Sequence, residues 1–373
     1  MGNSTMQVPL VDLRAAFAPV KEQVFRDFES ILDGMQLFQG PHIRALESEF
    51  ADYCGARHGL GLSNGTDALF AALMACGVGR GDEVIAPAHT FFATIEAIVH
   101  VGAIPVLADV EPDTLTLDPD AVREAVTEKT RAILPVHLYG QAADMDPLHE
   151  IAREHELRVI EDAAQAHGAR YHGRRCGNLG DVASFSFYFT KNLGGVGEGG
   201  FVTTNDDEIA RQVELLRHHG HVSKFEHEII GYNLRLDELQ AAVLRAKLPT
   251  LDEGNAARRA HAARYDALFA GSAARVPVAR AGNEHVYHVY TLRVPERDAL
   301  AAYLGEQGIG TGIHYKNPGH EQPALRHHEH RAGDLKVTRE ACRELISIPM
   351  YPQLTEEQIE YVASHVLAFL SRV

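Results

Sequence analysis

The amino-acid sequence predicts an α/β fold with a largely parallel central sheet and a smaller C-terminal domain. From residue 57 onward, short apolar segments alternate with amphipathic segments of helical period, which is the pattern of strands joined by crossover helices. The chain has 373 residues, enough for two domains with separate cores. A lysine also follows one apolar segment and precedes five glycines within residues 194–200, which favours a ligand site at a strand end.

Seven short segments have the apolar, β-branched character of buried strands, and amphipathic segments separate most of them. The predicted strands are His58–Leu62, Glu83–Ala86, Ile104–Ala108, Ala132–Val136, Arg158–Glu161, Val182–Phe187 and Phe201–Thr204. The predicted helices are 19–34 and 42–53 before the first strand, then Asp67–Cys76, Phe92–His100, Pro119–Val126 and Asp146–His155. We therefore predict a seven-stranded, mostly parallel central sheet, whose ligands lie outside the carboxyl ends of its strands.

The C-terminal third of the chain has a different pattern. The chain is helical over residues 239–269, and a strand-like stretch at 286–294 and a helix at 298–307 follow. Strands and helices that do not alternate regularly are typical of an α+β domain. We predict a large α/β domain over residues 1–246 and a smaller α+β domain over residues 247–373.

Composition and charge exclude several classes of function. The chain carries a formal net charge of −16, whereas binding to nucleic acid or to an anionic membrane needs a basic surface. The N-terminus has no cationic start followed by an apolar run, and no apolar run approaches membrane-spanning length. We therefore expect neither a signal peptide nor a transmembrane helix. The four cysteines have no CxxC spacing, which is typical of reduced thiols in the cytoplasm.

Histidine is plentiful, at 22 residues, and two histidine clusters invite comparison with metal sites. They are His218-His219-Gly220-His221 and His327-His328-Glu329-His330. Neither cluster pairs ligands at helical i, i+4 spacing beside an acidic motif. We therefore expect solvated polar side chains there and no metal site.

Lys191 follows the sixth predicted strand and precedes the glycine-rich segment 194–200. Glycines at this point let the backbone turn sharply and lie close against a ligand. A lysine desolvated at a strand end has a lowered pKa and can attack a carbonyl to form a Schiff base. From this segment alone, the alternative of a surface lysine in a flexible loop stays open.

Asp162 and Gln165 follow the fifth predicted strand. A carboxylate at the end of a buried strand is costly unless it is paired or hydrogen-bonded, and a protonated pyridine nitrogen is a suitable partner for it. Gln165 lies one helical turn further along the chain. The alternative for Asp162 is a helix N-cap.

Two other strand ends carry residues suited to a phosphate group and a flat ring. Gly65 and Thr66 open a helix after the first strand, where free N–H groups and the helix dipole favour an anion. Phe91 follows the second strand and can stack on a heterocycle. An ordinary N-cap and a core phenylalanine are the alternatives. Anion site, ring stack, carboxylate and lysine are together the groups that pyridoxal phosphate requires.

Four motifs carry a resemblance to a known family. They are Asn64-Gly65-Thr66-Asp67-Ala68-Leu69, Glu161-Asp162-Ala163-Ala164-Gln165-Ala166-His167-Gly168, Ser184-Phe185-Ser186-Phe187 leading to Lys191, and Gly231-Tyr232-Asn233-Leu234-Arg235-Leu236-Asp237-Glu238-Leu239-Gln240-Ala241-Ala242. On these motifs the sequence resembles, over almost its whole length, the pyridoxal-phosphate sugar aminotransferases of the DegT/DnrJ/EryC1/StrS family. The resemblance implies the aminotransferase fold of type I.

The resemblance also implies roles around the cofactor ring. Lys191 matches the lysine that forms the internal aldimine, and Asp162 matches the residue paired with the pyridinium nitrogen. Gln165 matches the residue near the phenolic oxygen of the cofactor. Phe91 falls where an aromatic side chain stacks on the ring.

Four further residues match contacts of the cofactor phosphate. Gly65, Thr66 and Ser186 match contacts made within one subunit. Asn233 matches a contact that the partner subunit supplies. The resemblance therefore implies a homodimer with shared active sites.

Tyr188, Lys224, His314 and Tyr315 match substrate-side residues of the branch that acts on 3-keto nucleotide sugars. The Lys224 ammonium would neutralise a diphosphate as a mobile point charge. A surface lysine, and a strand end with a polar exit at His314, are the alternatives. The segment Lys316-Asn317-Pro318-Gly319 departs from the family, in which many relatives carry a proline soon after the tyrosine, and this leaves the identity of the sugar open.

The implied activity is transfer of an amino group from L-glutamate to a keto-sugar carried on a nucleotide diphosphate, at C-3 of the sugar. Some relatives carry histidine in place of the lysine and dehydrate their substrates. Histidine moves protons but cannot form the imine linkage, so Lys191 favours transamination. The alternatives within the family are C-4 keto-sugar and inosose aminotransferases. Outside this activity, a pyridoxal-phosphate lyase or synthase and a non-catalytic regulator stay open.

Overall fold

The structure, a computed structural model, describes residues 6–372, and its strands agree closely with the predicted ones. In chain order the strands are β1 (His58–Leu62), β2 (Glu83–Pro87), β3 (Ile104–Ala108), β4 (Thr130–Ile133), β5 (Arg158–Asp162), β6 (Arg170–Tyr171), β7 (Arg174–Arg175), β8 (Val182–Ser186), β9 (Gly200–Thr204), β10 (His221–Ser223), β11 (Glu226–His227), β12 (Asn283–Glu284), β13 (Tyr290–Arg293), β14 (Arg331–Ala332) and β15 (Leu345–Ile348). The seven predicted strands are β1 to β5, β8 and β9, and only β4 differs from its predicted ends by more than one residue.

The predicted helices are also present. In chain order the α-helices are α1 (Leu13–Phe17), α2 (Lys21–Gly34), α3 (Pro41–Cys54), α4 (Gly65–Ala75), α5 (Ala93–His100), α6 (Pro119–Ala125), α7 (Met145–Glu154), α8 (Asp207–Arg217), α9 (Glu238–Lys247), α10 (Leu251–Phe269), α11 (Arg297–Glu306), α12 (Lys336–Glu344) and α13 (Glu356–Leu370). Polar side chains begin several of them. Asn64 accepts a hydrogen bond from the Asp67 N–H at 2.9 Å at the start of α4, and Asp237 accepts one from the Gln240 N–H at 2.8 Å at the start of α9, as N-caps do.

The central sheet has eight strands in the order β1-β9-β8-β5-β4-β2-β3-β14. Neighbouring strands from β8 to β14 are parallel, and β9 is antiparallel to both of its neighbours. The mostly parallel sheet is confirmed, but the predicted count of seven strands omits β14. This edge strand has two residues, Arg331 and Ala332, which is too short for a hydrophobic pattern to reveal.

Both faces of the sheet are covered. Every residue of β2, β3, β8 and β9 is buried, as expected of strands packed between two layers of helices. Because β1, β2, β4, β5 and β8 run in the same direction, their carboxyl ends meet at one edge. The chain segments that leave this edge carry the predicted functional residues.

Phe50, on α3, is the centre of the core beneath that edge. Its side chain is fully buried, and the rings of Phe185, Phe187 and Phe201 lie edge-on to it at centroid distances of 5.0, 5.3 and 5.1 Å. Edge-to-face pairs at these distances are favourable beyond the area that they bury. This cluster therefore fixes β8 and β9, and the connection between them, against α3.

A second core lies around β13 and β15, which pair antiparallel. Tyr265 and Phe269 of α10 pack there with buried residues of α11 and α13. Val8 also joins this core and forms a backbone bridge with Ile309.

The division of the chain at residues 246 and 247 stays a prediction, and residues 1–5 and Val373 of the predicted domains lie outside the described residues.

No helix within residues 6–372 is long and apolar enough to cross a membrane. The polar start that led us to expect no signal peptide includes residues 1–5, which the structure does not describe.

Replacing Phe50 by alanine should lower the free energy of unfolding by about 3–5 kcal/mol, because it removes a buried ring and leaves a cavity among three others. Denaturant unfolding measures this change. Phe225→Ala is the control, since the Phe225 side chain is 86% exposed, and its effect should stay within about 0.5 kcal/mol. Equal effects of the two substitutions would contradict a central role for Phe50.

Candidate active site

The carboxyl edge of the sheet brings Asp162 and Lys191 close enough for each to shift the pKa of the other. Asp162 is the last residue of β5, and Lys191 follows β8, the parallel neighbour of β5. The two predicted catalytic residues thus come from adjacent strand ends. Asp162 and Lys191 are distant in sequence. They come close because β5 and β8 pair side by side, with Asp162 opposite Ser184.

Asp162 is buried, at 8% exposure. The Thr94 hydroxyl donates to its Oδ2 at 2.8 Å, and the Ala164 N–H donates to its Oδ1 at 3.2 Å. Burial raises the pKa of Asp162 above its ordinary value, and the Thr94 and Ala164 hydrogen bonds only partly oppose this. A cation beside the carboxylate would therefore be bound favourably. Turns and β6 follow Asp162 instead of a helix, so the N-cap alternative was wrong.

Lys191 is partly buried, and its Nζ makes no hydrogen bond or ion pair with any residue in the described range. Its backbone N–H donates to the Tyr188 carbonyl at 2.8 Å. Burial lowers the pKa of Lys191 to about 8, although the nearby charge of Asp162 raises it. A larger share of the amine is therefore neutral, and so nucleophilic, near neutral pH than in a solvated lysine. The alternative of a surface lysine in a flexible loop was wrong.

Three histidines surround the lysine, and all three are held in the neutral form. Burial lowers the pKa of His167 to about 3 and of His314 to about 4, and the Lys191 charge adds to both effects. Burial and then Lys191 also lower the pKa of His288 well below its ordinary value. The surroundings of Lys191 therefore contain acceptors and donors of hydrogen bonds without adding positive charge.

The start of α4 and the end of β8 form a close backbone cradle. Gly65 is the first residue of α4, and a Cβ atom at this position would lie 2.6 Å from the Cβ of Ser186. Only glycine permits this approach. The N-terminal N–H groups of α4 therefore lie beside the Ser186 side chain, 9% exposed, and Thr66 follows within the same helical turn. This arrangement suits an anion such as a phosphate.

Gln165, Tyr315 and Phe91 form a second wall of the site. The Gln165 Nε2 donates to the Tyr315 hydroxyl at 2.9 Å, and the Phe91 ring lies 5.8 Å from the Tyr315 ring. Phe91 is 58% exposed, so it does not pack in the core, and the core alternative was wrong. An exposed ring at a strand end is available to stack on a flat ligand.

Glu161 precedes Asp162 on β5 and points to the opposite face of the sheet. Its carboxylate accepts hydrogen bonds from the N–H groups of Gly177, Leu179 and Gly180 at 2.7–2.8 Å and lies 2.9 Å from His137 Nε2. Burial would raise the pKa of Glu161, but the hydrogen bond and charge of His137, followed by the Gly177 and Gly180 N–H groups, lower it below its ordinary value. Glu161 therefore anchors the strand that presents Asp162.

Two predicted residues are exposed in the single chain. Lys224 is exposed on the hairpin of β10 and β11, with its Nζ 5.4 Å from the Phe225 ring. Asn233 is exposed, and its backbone bridges to His218. Tyr188, also predicted, is 36% exposed and only three residues from Lys191. The functional roles of these residues stay predictions.

Sequence analysis missed Thr94 and Asn192. Thr94 sits one turn after Thr90, and the two hydroxyls lie 2.8 Å apart, so Thr90 donates to Thr94 while Thr94 donates to Asp162. Asn192 Oδ1 lies 3.2 Å from His288 Nδ1. The i, i+4 threonine pair at a strand end was a signal for Thr94, whereas only the folded chain brings His288 to Asn192.

This edge of the sheet has the parts of a pyridoxal-phosphate enzyme of fold type I. The model of the DegT/DnrJ/EryC1/StrS aminotransferase family matches residues 19–367. The chain therefore belongs to that family, as its motifs predict.

Curated relatives match nearly the whole chain. A pleiotropic regulatory protein of Geobacillus stearothermophilus is 46% identical, over 98% of this chain and 99% of the relative. The dTDP-3-amino-3,4,6-trideoxy-alpha-D-glucose transaminase of Streptomyces venezuelae is 44% identical, over 99% and 98%. The UDP-N-acetyl-3-dehydro-alpha-D-glucosamine 3-aminotransferase of Acidithiobacillus ferrooxidans is 43% identical, over 96% of both.

Solved structures agree with the fold. The crystal structure of DesV from S. venezuelae in complex with a ketimine intermediate superposes with a TM-score of 0.96 at 44% identity, over 99% of this chain and 100% of that one. The structure of NtdA from Bacillus subtilis with bound cofactor PMP gives a TM-score of 0.91 at 29% identity, over 100% of this chain and 87% of that one. The predicted fold of type I is confirmed.

The cofactor of this family is pyridoxal phosphate, and the residues present fit it. The amine of Lys191 makes no hydrogen bond or ion pair within residues 6–372. The hydrogen bonds to the buried carboxylate of Asp162 do not offset the cost of burying its charge. The cradle at Gly65 and Ser186 leaves no room for a Cβ atom. These three features correspond to an aldehyde, a ring nitrogen and a phosphate.

The rate at which the cofactor-free protein binds pyridoxal phosphate covalently should depend on the protonation state of Lys191. Because the pKa of Lys191 is about 8, the rate should rise with pH through about 8 and level off above it, where the amine is neutral. Asp162→Asn removes a charge that raises this pKa, so the midpoint should move to lower pH. Stopped-flow absorbance measures both profiles.

Lys191→Ala is the control for this experiment, because burial also lowers the pKa of Lys247 to about 8. The variant should form no visible band at any pH. A wild-type midpoint near 10 would contradict the argument that burial depresses the pKa of Lys191.

Proposed function

We propose that this chain is a pyridoxal-phosphate-dependent aminotransferase that moves an amino group from L-glutamate to C-3 of a keto-sugar carried on a nucleotide diphosphate. The observation that carries the proposal is the pair of Lys191 and Asp162 at adjacent strand ends, a depressed amine beside a buried carboxylate. Relatives over 40% identical are described as acting at C-3 of nucleotide sugars, which supports the substrate class.

Lys191 and Asp162 divide the chemistry. Bound pyridoxal phosphate supplies an electron sink that lets the α-proton of an amino acid leave. Lys191 Nζ would hold the cofactor covalently and, when free, would take and return that proton as a general base and acid. Asp162 would pair with the ring nitrogen and keep it protonated. Thr94 fixes the orientation of the Asp162 carboxylate through its hydrogen bond.

The remaining predicted contacts surround this pair. Gly65, Thr66 and Ser186 would hold the phosphate at the start of α4, where the N–H groups and the helix dipole favour an anion. Phe91 would stack on the ring, and Gln165 would contact its phenolic oxygen.

Substrate recognition belongs to Tyr188, Lys224, His314 and Tyr315. His314 and Tyr315 lie beside the lysine and Gln165, where a sugar would meet the reacting nitrogen. Tyr188 is partly exposed near Lys191. Lys224, on the exposed hairpin, supplies a mobile positive charge for the diphosphate.

We infer a homodimer with shared active sites, in which Asn233 contacts the phosphate of the partner subunit. Asn233 is exposed in the single chain, and an exposed aromatic ring lies beside its segment. Phe38 forms a backbone bridge with Asp237, and the Arg235 guanidinium lies 5.1 Å from the Phe38 ring. Large apolar side chains that are 53–89% exposed are Phe25, Leu32, Met35, Phe38 and Ile230. Exposed apolar side chains in such number favour an interface between subunits.

We place the protein in the cytoplasm. The four cysteines are free, which accords with a reducing compartment.

The absorbance spectrum of the purified protein with pyridoxal phosphate tests the reaction. A visible band from the Lys191-bound cofactor should form and should be lost when glutamate is added, as the cofactor takes up the amino group. A 3-keto nucleotide sugar should then restore the band, and analysis of the product should place the amine at C-3. Lys191→Ala should form no band and show no turnover.

The outcomes separate the alternatives. A band that ignores glutamate would contradict a glutamate-dependent aminotransferase and favour a lyase or a synthase. An amine at C-4, or on an inosose, would contradict the C-3 assignment alone. No turnover with any keto-sugar, despite a complete band, would favour a regulator, the function for which the Geobacillus relative is described.

Mixed dimers test the shared site. Asn233→Ala should weaken retention of the cofactor, because it removes a phosphate contact from the partner subunit. A mixture of Asn233→Ala with Lys191→Ala should recover one complete site per dimer, whereas each variant alone should be inactive or strongly impaired. Turnover per dimer after unfolding and refolding the two variants together measures the recovery, and no recovery at any ratio would contradict shared sites.

A further inference from the structure

Tyr139 is held in an uncommon conformation between two predicted site residues. It follows β4 in a short turn with φ 60° and ψ 1°, a left-handed backbone that non-glycine residues seldom adopt. The side chain is 4% exposed. Such a conformation persists where the surroundings hold it, and it is often part of a functional site.

Several hydrogen bonds hold Tyr139 there, and two of them reach predicted site residues. Its backbone N–H donates to Gln165 Oε1 at 2.6 Å, and its hydroxyl donates to the carbonyl oxygen of His314. Gln165 in turn donates from Nε2 to the Tyr315 hydroxyl. The amide of Gln165 therefore cannot rotate by half a turn without losing both bonds. Tyr139 thus connects the segment after β5, which contains Gln165, to the His314-Tyr315 segment.

A buried chain of hydrogen bonds sets the direction of the Tyr139 hydroxyl. Tyrosine has one hydroxyl hydrogen, and His314 receives it, so Tyr139 accepts from His89 Nε2 at 2.7 Å. Burial lowers the pKa of His89 to about 4, so the ring is neutral and its Nδ1 is unprotonated. This nitrogen accepts from the Cys342 thiol at 3.5 Å. His89 and Cys342 are 1% and 2% exposed. In this series of hydrogen bonds each donor has one acceptor, so the Tyr139 hydroxyl donates to the His314 carbonyl only.

We propose that Tyr139 is a positioning residue for the amino-group acceptor, which fixes His314 and Tyr315 relative to Gln165, and that His89 orients the Tyr139 hydroxyl. The inference rests on the proposed function, because it assigns the acceptor side of that site. The Tyr315 hydroxyl accepts from Gln165, so its own hydrogen is free to donate to a bound sugar. Tyr139 makes no hydrogen bond to Lys191 or Asp162 among the described contacts, so the lysine chemistry does not depend on it.

Tyr139→Phe tests the proposal, since it removes only the hydroxyl and keeps the ring and the backbone N–H. The KM for the keto-sugar should rise about tenfold, the effect of one lost hydrogen bond in a buried site. The rate of the glutamate half-reaction should stay within about twofold of wild type. An unchanged KM, or an equal loss in both half-reactions, would overturn the proposal.

Amide hydrogen exchange gives a second measurement that needs no turnover. Exchange of residues 312–317 should be faster in cofactor-free Tyr139→Phe than in the cofactor-free wild-type protein, because the bond to His314 is lost. Unchanged exchange would overturn the positioning role whether or not the protein is an aminotransferase. A wild-type protein that ignores glutamate would overturn the proposed function instead, so the two failures are distinguishable.

Tyr265→Phe is the matched control. Tyr265 is fully buried and donates its hydroxyl to the Pro349 carbonyl at 3.2 Å, so the substitution removes the same kind of bond away from the site. It should change neither the KM nor the exchange of residues 312–317. His89→Leu should reproduce the rise in KM, and the double variant with Tyr139→Phe should add little further. Full additivity of His89→Leu and Tyr139→Phe would contradict a single hydrogen-bonded chain.

Discussion

The carboxylate of Asp162, buried at the end of a central strand, is the constraint that the rest of the site satisfies. A carboxylate in this position is unfavourable unless donors or a cation compensate it. The fold supplies a threonine hydroxyl from α5 and a backbone N–H from the following turn, and it places a lysine at the next strand end. The compensation is incomplete, as the raised pKa of Asp162 indicates, and this is why we propose a positively charged ring nitrogen as its partner.

Glu161 and Asp162 show how one strand serves both stability and chemistry. Successive side chains of a strand point to opposite faces, so Glu161 faces the loop of residues 177–180 and Asp162 faces the site. The N–H groups that Glu161 needs as hydrogen-bond donors are supplied within the fold. Asp162 receives fewer donors, so its carboxylate can still accept from a ligand. The first carboxylate fixes β5 in place, and the second can therefore be held accurately without being fully neutralised.

The strand ends could be predicted from the sequence because their signals are local. Apolar runs followed by glycine, an acid or a lysine located β5, β8 and the start of α4, and the motifs added the family. The two-residue strand β14 has no such pattern. Tyr139 and Asn192 were missed because they contact residues distant in sequence, His314 and His288, and only tertiary packing specifies these contacts.

The hairpin of β10 and β11, which carries the proposed substrate residue Lys224, differs from the strand ends in how it is supported. Its residues are mostly exposed, whereas Asp162 and Ser186 belong to strands that are buried almost throughout. Substitutions at exposed positions rarely lower stability by more than about 0.5 kcal/mol. The hairpin can therefore accumulate changes during evolution at little cost to folding while the strand ends stay constrained, so lineages that share one reaction can diverge in the molecules they accept.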